Sequence, residues 1–207
     1  MTIALSLRYK KCIMKRIIAL FFTVALCISL SAQEHFKFKG VEINGSVSSF
    51  YNKLKQQIPD LKGIIEEGIG SYTGTFASKE CTIICYPNSK GNVYMVAVVF
   101  PDERSWASIK SSYLDYCSIL TEKYGTPTAK LRQFSSPYYE GDGYEISAFH
   151  QDKATWVNMY ETDNGSVTVG IKPGSTYKAA SLILFYTDTA NKNVEDQAKE
   201  RAVYDDL

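Results

Sequence analysis

The sequence predicts an α+β fold of two layers, a curved antiparallel sheet with helices packed on one face. Three observations predict it. Short alternating or apolar runs follow one another through tight turns, which is how antiparallel strands are joined. Two longer segments carry apolar residues at three- and four-residue spacing, the period of a helix. The order of helix and then several strands occurs twice, at about 46–100 and 104–186. The helices must cover one sheet face to bury their apolar stripes. This repeated order admits an internal duplication, with halves at about 34–102 and 103–187 and a C-terminal tail.

Each element has its own signal. His35 to Ile43 (HFKFKGVEI) alternates and predicts a short strand, turned by Asn44-Gly45-Ser46. A helix capped by Ser46 or Ser48 follows. Its core stripe is Val47, Phe50, Leu54 and Ile58, and Pro59 stops it. Ser71–Phe76 reads as a strand. Cys81–Tyr86 (CTIICY) is nearly continuous and is expected to be buried on both sides. Pro87 to Gly91 turns the chain into Val93–Phe100, the most apolar strand.

The clearest helix runs from about Glu103 to Tyr124. Trp106, Ile109, Tyr113, Cys117, Leu120 and Tyr124 trace one face. Gly125 stands at the C-cap and Pro127 prevents continuation. Strands are then expected at Ala129–Phe134, Tyr144–His150, Ala154–Glu161, Val167–Ile171 and Ala179–Tyr186. Asp163-Asn164-Gly165 is a strong hairpin turn. The tail from Asn191 to Leu207 is charged and reads as a surface helix or a frayed end.

Residues 1–33 read as a cleavable secretory signal peptide. Met14, Lys15 and Arg16 give the basic start, Ile17–Leu30 the apolar run and Ser31-Ala32-Gln33 the small-residue end. The preceding MTIALSLRYKKCI makes an overlong start, so translation is expected to begin at Met14. The apolar run falls short of the about 20 residues of a spanning helix. Lipid anchoring is disfavoured, because bulky Leu26 precedes Cys27 and Cys27 lies inside the apolar run. The expected location is the periplasm or the exterior, with no integral membrane segment after cleavage.

The full chain carries 23 Lys and Arg against 22 Asp and Glu, a formal charge of +1. The leader holds five of those bases and no acid, so the processed chain would carry 18 against 22, or −4. That balance lacks the basic footprint of nucleic-acid binding. Three of the five cysteines lie beyond the leader: Cys81, Cys85 and Cys117. Cys81 and Cys85 share one face of a strand about 13 Å apart. A disulfide tolerates Cα separations of only about 4.4–6.8 Å. Three buried thiols are expected, with Cys117 the one that could pair with either of the others.

No motif assigns a reaction. Cys117 and His150 are the formal pair for a Cys-His hydrolase, yet Cys117 lies on the buried helix stripe. Cys81 and Cys85 have no histidine near them for zinc. The loop Tyr138 to Glu145 collects three carboxylates and could suggest calcium, but EF-hand spacing is absent. No metal, cofactor or catalytic residue is therefore expected. The aromatic content is high, with 15 Tyr, 10 Phe and 2 Trp. Trp156 and Tyr160 share a strand face, Tyr144 is expected on a neighbouring strand, and Tyr138 and Tyr139 lie in the adjoining loop. If the uncovered sheet face displays them, they form an interaction surface, since interfaces favour Tyr and Trp. Otherwise they fill the core.

Several of these residues also carry a family likeness. Phe38, Gly40, Ile43, Gly45 and Ser46 form an F-x-G-x-x-I-x-G-s pattern. Gly74-Thr75-Phe76-Ala77, Val98 to Phe100, and Leu120, Lys123, Tyr124, Gly125 and Pro127 follow. Across nearly all of the chain beyond the leader, this resembles a family of small exported proteins of unknown function from Gram-negative gut bacteria. The tandem helix-plus-meander order is similar to the fold of β-lactamase inhibitor proteins and of small outer-membrane assembly lipoproteins. The resemblance implies no catalytic residues. The resulting expectation is a non-enzymatic module that binds an envelope or extracellular protein. The alternatives are an envelope hydrolase acting on cell-wall or dietary polymer, and a carrier of a small ligand.

Overall fold

A computed structural model describes residues 34–205. The expected signal peptide, with Met14 and Cys27, lies outside the described residues. The described chain begins with a small hairpin in place of the single strand expected at His35–Ile43. Strands β1 (Lys37–Phe38) and β2 (Val41–Glu42) pair antiparallel across Lys39 and Gly40, which have φ of 51° and 78°. Two successive positive-φ residues make the two-residue turn whose twist suits a hairpin. The alternating pattern was therefore interrupted by a turn at the one glycine in the run. Helix α1 (Val47–Gln57) follows, with the Ser46 hydroxyl accepting the Ser49 amide at 3.3 Å. Its stripe of Val47, Phe50 and Leu54 is buried.

The main sheet has eight strands, all paired antiparallel, in the order β3-β4-β5-β6-β10-β9-β8-β7. The first meander is β3 (Lys62–Glu66), β4 (Ile69–Phe76), β5 (Lys79–Pro87) and β6 (Val93–Val99). The second is β7 (Ala129–Phe134), β8 (Ala154–Thr162), β9 (Gly165–Pro173) and β10 (Ala180–Asp188). The two meet at the centre, where β6 pairs with β10. Each meander is preceded by a helix: α1 before the first, and α2 (Trp106–Tyr124) before the second. The fold is thus α+β, with an open antiparallel sheet and helices packed against it.

Three expectations change. Strand β3 was absent from the sequence reading because it is an edge strand exposed throughout, with no alternation of burial to reveal it. Tyr144–His150 is not a strand. Glu145–His150 form a short helix, α3, which places Ala148 and Phe149 in the core. Strand β5 is not buried on both sides. Cys81, Ile83 and Cys85 are buried, while Thr82, Ile84 and Tyr86 are only half-buried. The charged tail is a helix, α4 (Thr189–Asp205), moored by buried Asn191, whose side-chain amide donates to the Ile43 and Val93 carbonyls at 3.0 and 3.1 Å.

The register separates the two sheet faces residue by residue. One cross-strand row runs Tyr72, Ile83, Val98, Leu184, Val169 and Asn158, and every member is buried. Helices α1, α2 and α3 lie on this side. Tyr51 of α1 stacks on Tyr72 at 4.6 Å, and Trp106 of α2 meets Trp156 edge-on at 4.9 Å. The hairpin adds Phe38, packed on Phe76 and Tyr186 at 5.4 and 5.0 Å. Aromatic pairs of this kind add about 0.5–1.5 kcal/mol beyond area burial.

Candidate binding surface

The opposite face carries two uninterrupted rows that cross all eight strands. The first runs Lys62, Thr73, Thr82, Val99, Ile183, Gly170, Val157 and Leu131. The second runs Ile64, Ser71, Ile84, Ala97, Phe185, Thr168, Met159 and Ala129. Period-two geometry puts every one of these side chains opposite the covered face. Apart from Lys62 and Gly170 they are apolar or hydroxyl-bearing, with Phe185 the single aromatic. Among the described residues no aromatic pair and no side-chain hydrogen bond from a helix reaches them.

The first row leads into a cleft of about 790 Å³ at one end of the sheet. Thr73, Thr82 and Val99 form its floor, and Lys62, Asp60 and Glu80 line one side. Asp102, Lys172, Ser175 and Ser181 line the other. Pro101 stands two residues past the end of β6, where the chain leaves the sheet, and Asp102 reaches Ser181 of β10. One Asp102 oxygen accepts the Ser175 amide at 2.8 Å and the Ser175 hydroxyl, and the other accepts the Ser181 hydroxyl. The Ser175 and Ser181 hydroxyls hold the Asp102 carboxyl below its ordinary value, helped by Lys172. Asp60 is fixed similarly, accepting the Thr75 hydroxyl at 2.7 Å. The cleft therefore presents both signs of charge together with hydroxyl groups.

The aromatic residues expected to form a surface do not come together as one. Trp156 and Tyr160 are 4% and 0% exposed and lie on the covered face under α2. The Tyr160 hydroxyl donates to the Cys117 carbonyl at 3.0 Å, and the Tyr113 hydroxyl to Asn158 at 2.9 Å. Their shared strand face was correctly read as one face, but it is the core face. Tyr144 sits at the cap of α3 instead of in a strand. Tyr139 and Tyr144 are exposed, and Tyr138 is half-buried. Two of that loop's three carboxylates turn inward on its own backbone, and the third pairs with a lysine of α2. Asp142 accepts the Tyr139 and Tyr144 amides at 3.0 and 2.7 Å, Glu145 accepts the Gly141 amide at 2.8 Å, and Glu140 pairs with Lys110. Among the described residues no group of three His, Cys, Asp or Glu is placed to hold a metal.

Cys81, Cys85 and Cys117 are all free and buried. Burial pushes the Cys81 thiol up to about 11 and the Cys85 thiol up to about 12. His150 is bonded through Nε2 to the Ala179 carbonyl at 2.8 Å. The cleft residues escaped sequence reasoning because threonine and valine on a strand look unremarkable one strand at a time. The signal available was the unfilled polar phase of β4 and β5, Thr73 with Thr75 and Thr82, opposite the Tyr72 and Ile83 phase. The chain matches no family model, no curated protein and no solved structure. No helix among the described residues is long and apolar enough to cross a membrane.

Proposed function

We propose that this protein is a non-enzymatic binding module that holds an extended segment of another protein across the open face of its sheet. The observation that carries the reading is the pair of cross-strand rows, whose apolar and threonine side chains lie on the face opposite α1, α2 and α3. A broad apolar surface rimmed by polar groups marks an interaction site. The cleft at its end mixes Lys62 and Lys172 with Asp60, Glu80 and Asp102. Mixed charge and hydroxyls suit the alternating donors and acceptors of a polypeptide better than a polyanion or an acyl chain. The leader expected at residues 1–33 would make the partner an envelope or extracellular protein.

The hydrolase alternative draws less support from the same cleft. A general acid working near neutral pH needs a raised carboxyl pKa. Asp102 is shifted the other way by its serine partners. The test is site-specific photo-crosslinking in the native host envelope, with the crosslinker at Thr82 and, as control, at Ile119 on the outer side of α2, which is 57% exposed. The reading predicts one protein adduct at Thr82 and none at Ile119. Equal adducts at both positions, or none at Thr82, would contradict it.

A further inference from the structure

On the covered side, between α2 and the edge strand β7, a second cavity of about 530 Å³ is lined by Leu114, Cys117, Thr121, Lys130, Arg132 and Asn158, among others. Lys130 and Arg132 lie two apart on β7 and so project on the same side, toward the helix. Arg132 is directly opposite Trp156 in the register. Its guanidinium lies 5.1 Å from the Tyr113 ring centre and 5.8 Å from the Trp156 ring centre. Both rings lie within cation–π range of the guanidinium.

The buried part of this cluster is short of acceptors, and the one carboxylate in the lining, exposed Glu122, pairs with neither Lys130 nor Arg132. Asn158 Oδ1 already accepts the Tyr113 hydroxyl, and the Cys117 carbonyl already accepts both Tyr160 and Thr121. Arg132 Nε and Trp156 Nε1 are buried N–H donors without a partner. The ion pairs among the described residues are His35 with Asp188, Lys110 with Glu140, Lys192 with Asp196 and Lys199 with Glu195. None includes Lys130 or Arg132. A native fold rarely leaves buried donors without acceptors, and each exception calls for an explanation.

We propose that this cavity is a binding site for a carboxylate, with Arg132 as the planar anchor and Lys130 as the second charge. The guanidinium fork matches a carboxylate in two parallel hydrogen bonds, which an ammonium cannot do. The exposed edge of Leu114 and Pro127 would take the apolar part of the ligand. The carboxylate belongs either to a small free acid or to the C-terminus of a peptide. Both present the same group to Arg132.

The chain's two tryptophans, Trp106 and Trp156, touch each other beside the site. Intrinsic fluorescence of the whole protein therefore reads it. Titration with succinate at constant ionic strength should change the signal saturably, while succinamide should not. The peptide Ala-Ala-Leu with a free C-terminus, compared with its amide, distinguishes the sources. Tighter binding of the free peptide than of succinate assigns the site to chain ends, and the reverse assigns it to small acids. Arg132→Lys keeps the charge and should keep the melting temperature, yet weaken binding roughly tenfold by losing the fork. Lys130→Ala should weaken binding a few-fold. An unsaturable response, an equal response to succinamide, tighter binding of inorganic phosphate, or undiminished binding by a folded Arg132→Lys would each overturn the assignment.

Discussion

The two faces of one sheet obey different rules. The covered face holds Tyr72, Val98, Leu184, Trp156 and Tyr160, all buried, with Tyr51 of α1 on Tyr72 and Trp106 of α2 on Trp156. The open face holds Thr82, Ile84, Val99, Phe185 and Met159, which are half-buried only. Adjacent residues of one strand fall on opposite sides of this division, as Val98 and Val99 do. The chemistry follows the packing. Large aromatics fill the enclosed side, with the Tyr113 and Tyr160 hydroxyls bonded within it, and aliphatic and hydroxyl groups surface the other. The lesson is that aromatic richness here marks the core, whereas the open face is built from modest side chains in long rows.

The contrast can be broken most forcefully at Trp156. Trp156→Ala removes a ring that packs on Trp106, Tyr113 and Phe134. It should cost about 3–5 kcal/mol, read as a fall in the denaturant midpoint. A loss near zero would mean the covered face is not the core. Asp188 comes next. It is fully buried and accepts the Phe36 and Asn191 amides at 2.7 and 2.8 Å, tying the first hairpin to α4. Asp188→Ala leaves those donors without partners and should cost about 1–3 kcal/mol. Hydrogen exchange would then rise first at β1, β2 and the start of α4, and uniform exchange would contradict the tether.

The buried thiols give a pH dependence with a definite sign. Cys85 is raised from 9.0 to about 12, so the folded state disfavours its thiolate. Its contribution to stability is fully present below about pH 9 and is lost progressively as pH rises toward about 12. Native Cys85 should therefore resist iodoacetamide at pH 8 and react fully once the protein is denatured. Rapid labelling of the native protein would contradict its placement. The smallest effect belongs to the open face, where Thr82→Ala should change stability by no more than about 0.5 kcal/mol.

Much of this fold could be read from the sequence, and the omissions have physical causes. Helices α1 and α2 announced themselves through Val47, Phe50 and Leu54, and through Ile109, Tyr113 and Cys117, because a half-buried helix needs a stripe. Strands β4, β6, β8, β9 and β10 followed from alternation or apolar content. Strand β3 did not, since an edge strand exposed on both sides has no pattern to enforce. Glu145–His150 misled because six residues cover less than two helical turns, too few to distinguish a period of two from one of 3.6. The side on which Trp156 and Tyr160 fall stays open in the sequence for a deeper reason. Alternation along β8 divides its residues into two sets, but only the positions of α2 and α3 decide which set is enclosed. The cleft was illegible for a related reason, because it is assembled from one or a few residues each of β3, β4, β5, β6, β9 and β10 together with residues outside the strands such as Asp102 and Ser175.

The most direct test of the two-face account is a matched pair of substitutions one residue apart on β6, Val98→Arg and Val99→Arg, each measured for thermal unfolding and for crosslinking at Thr82. The account predicts that Val98→Arg, at a position 0% exposed, abolishes cooperative unfolding. It predicts that Val99→Arg melts with the parent protein and loses the Thr82 adduct. A Val99→Arg variant that unfolds like Val98→Arg, or that folds and keeps its adduct, would contradict it.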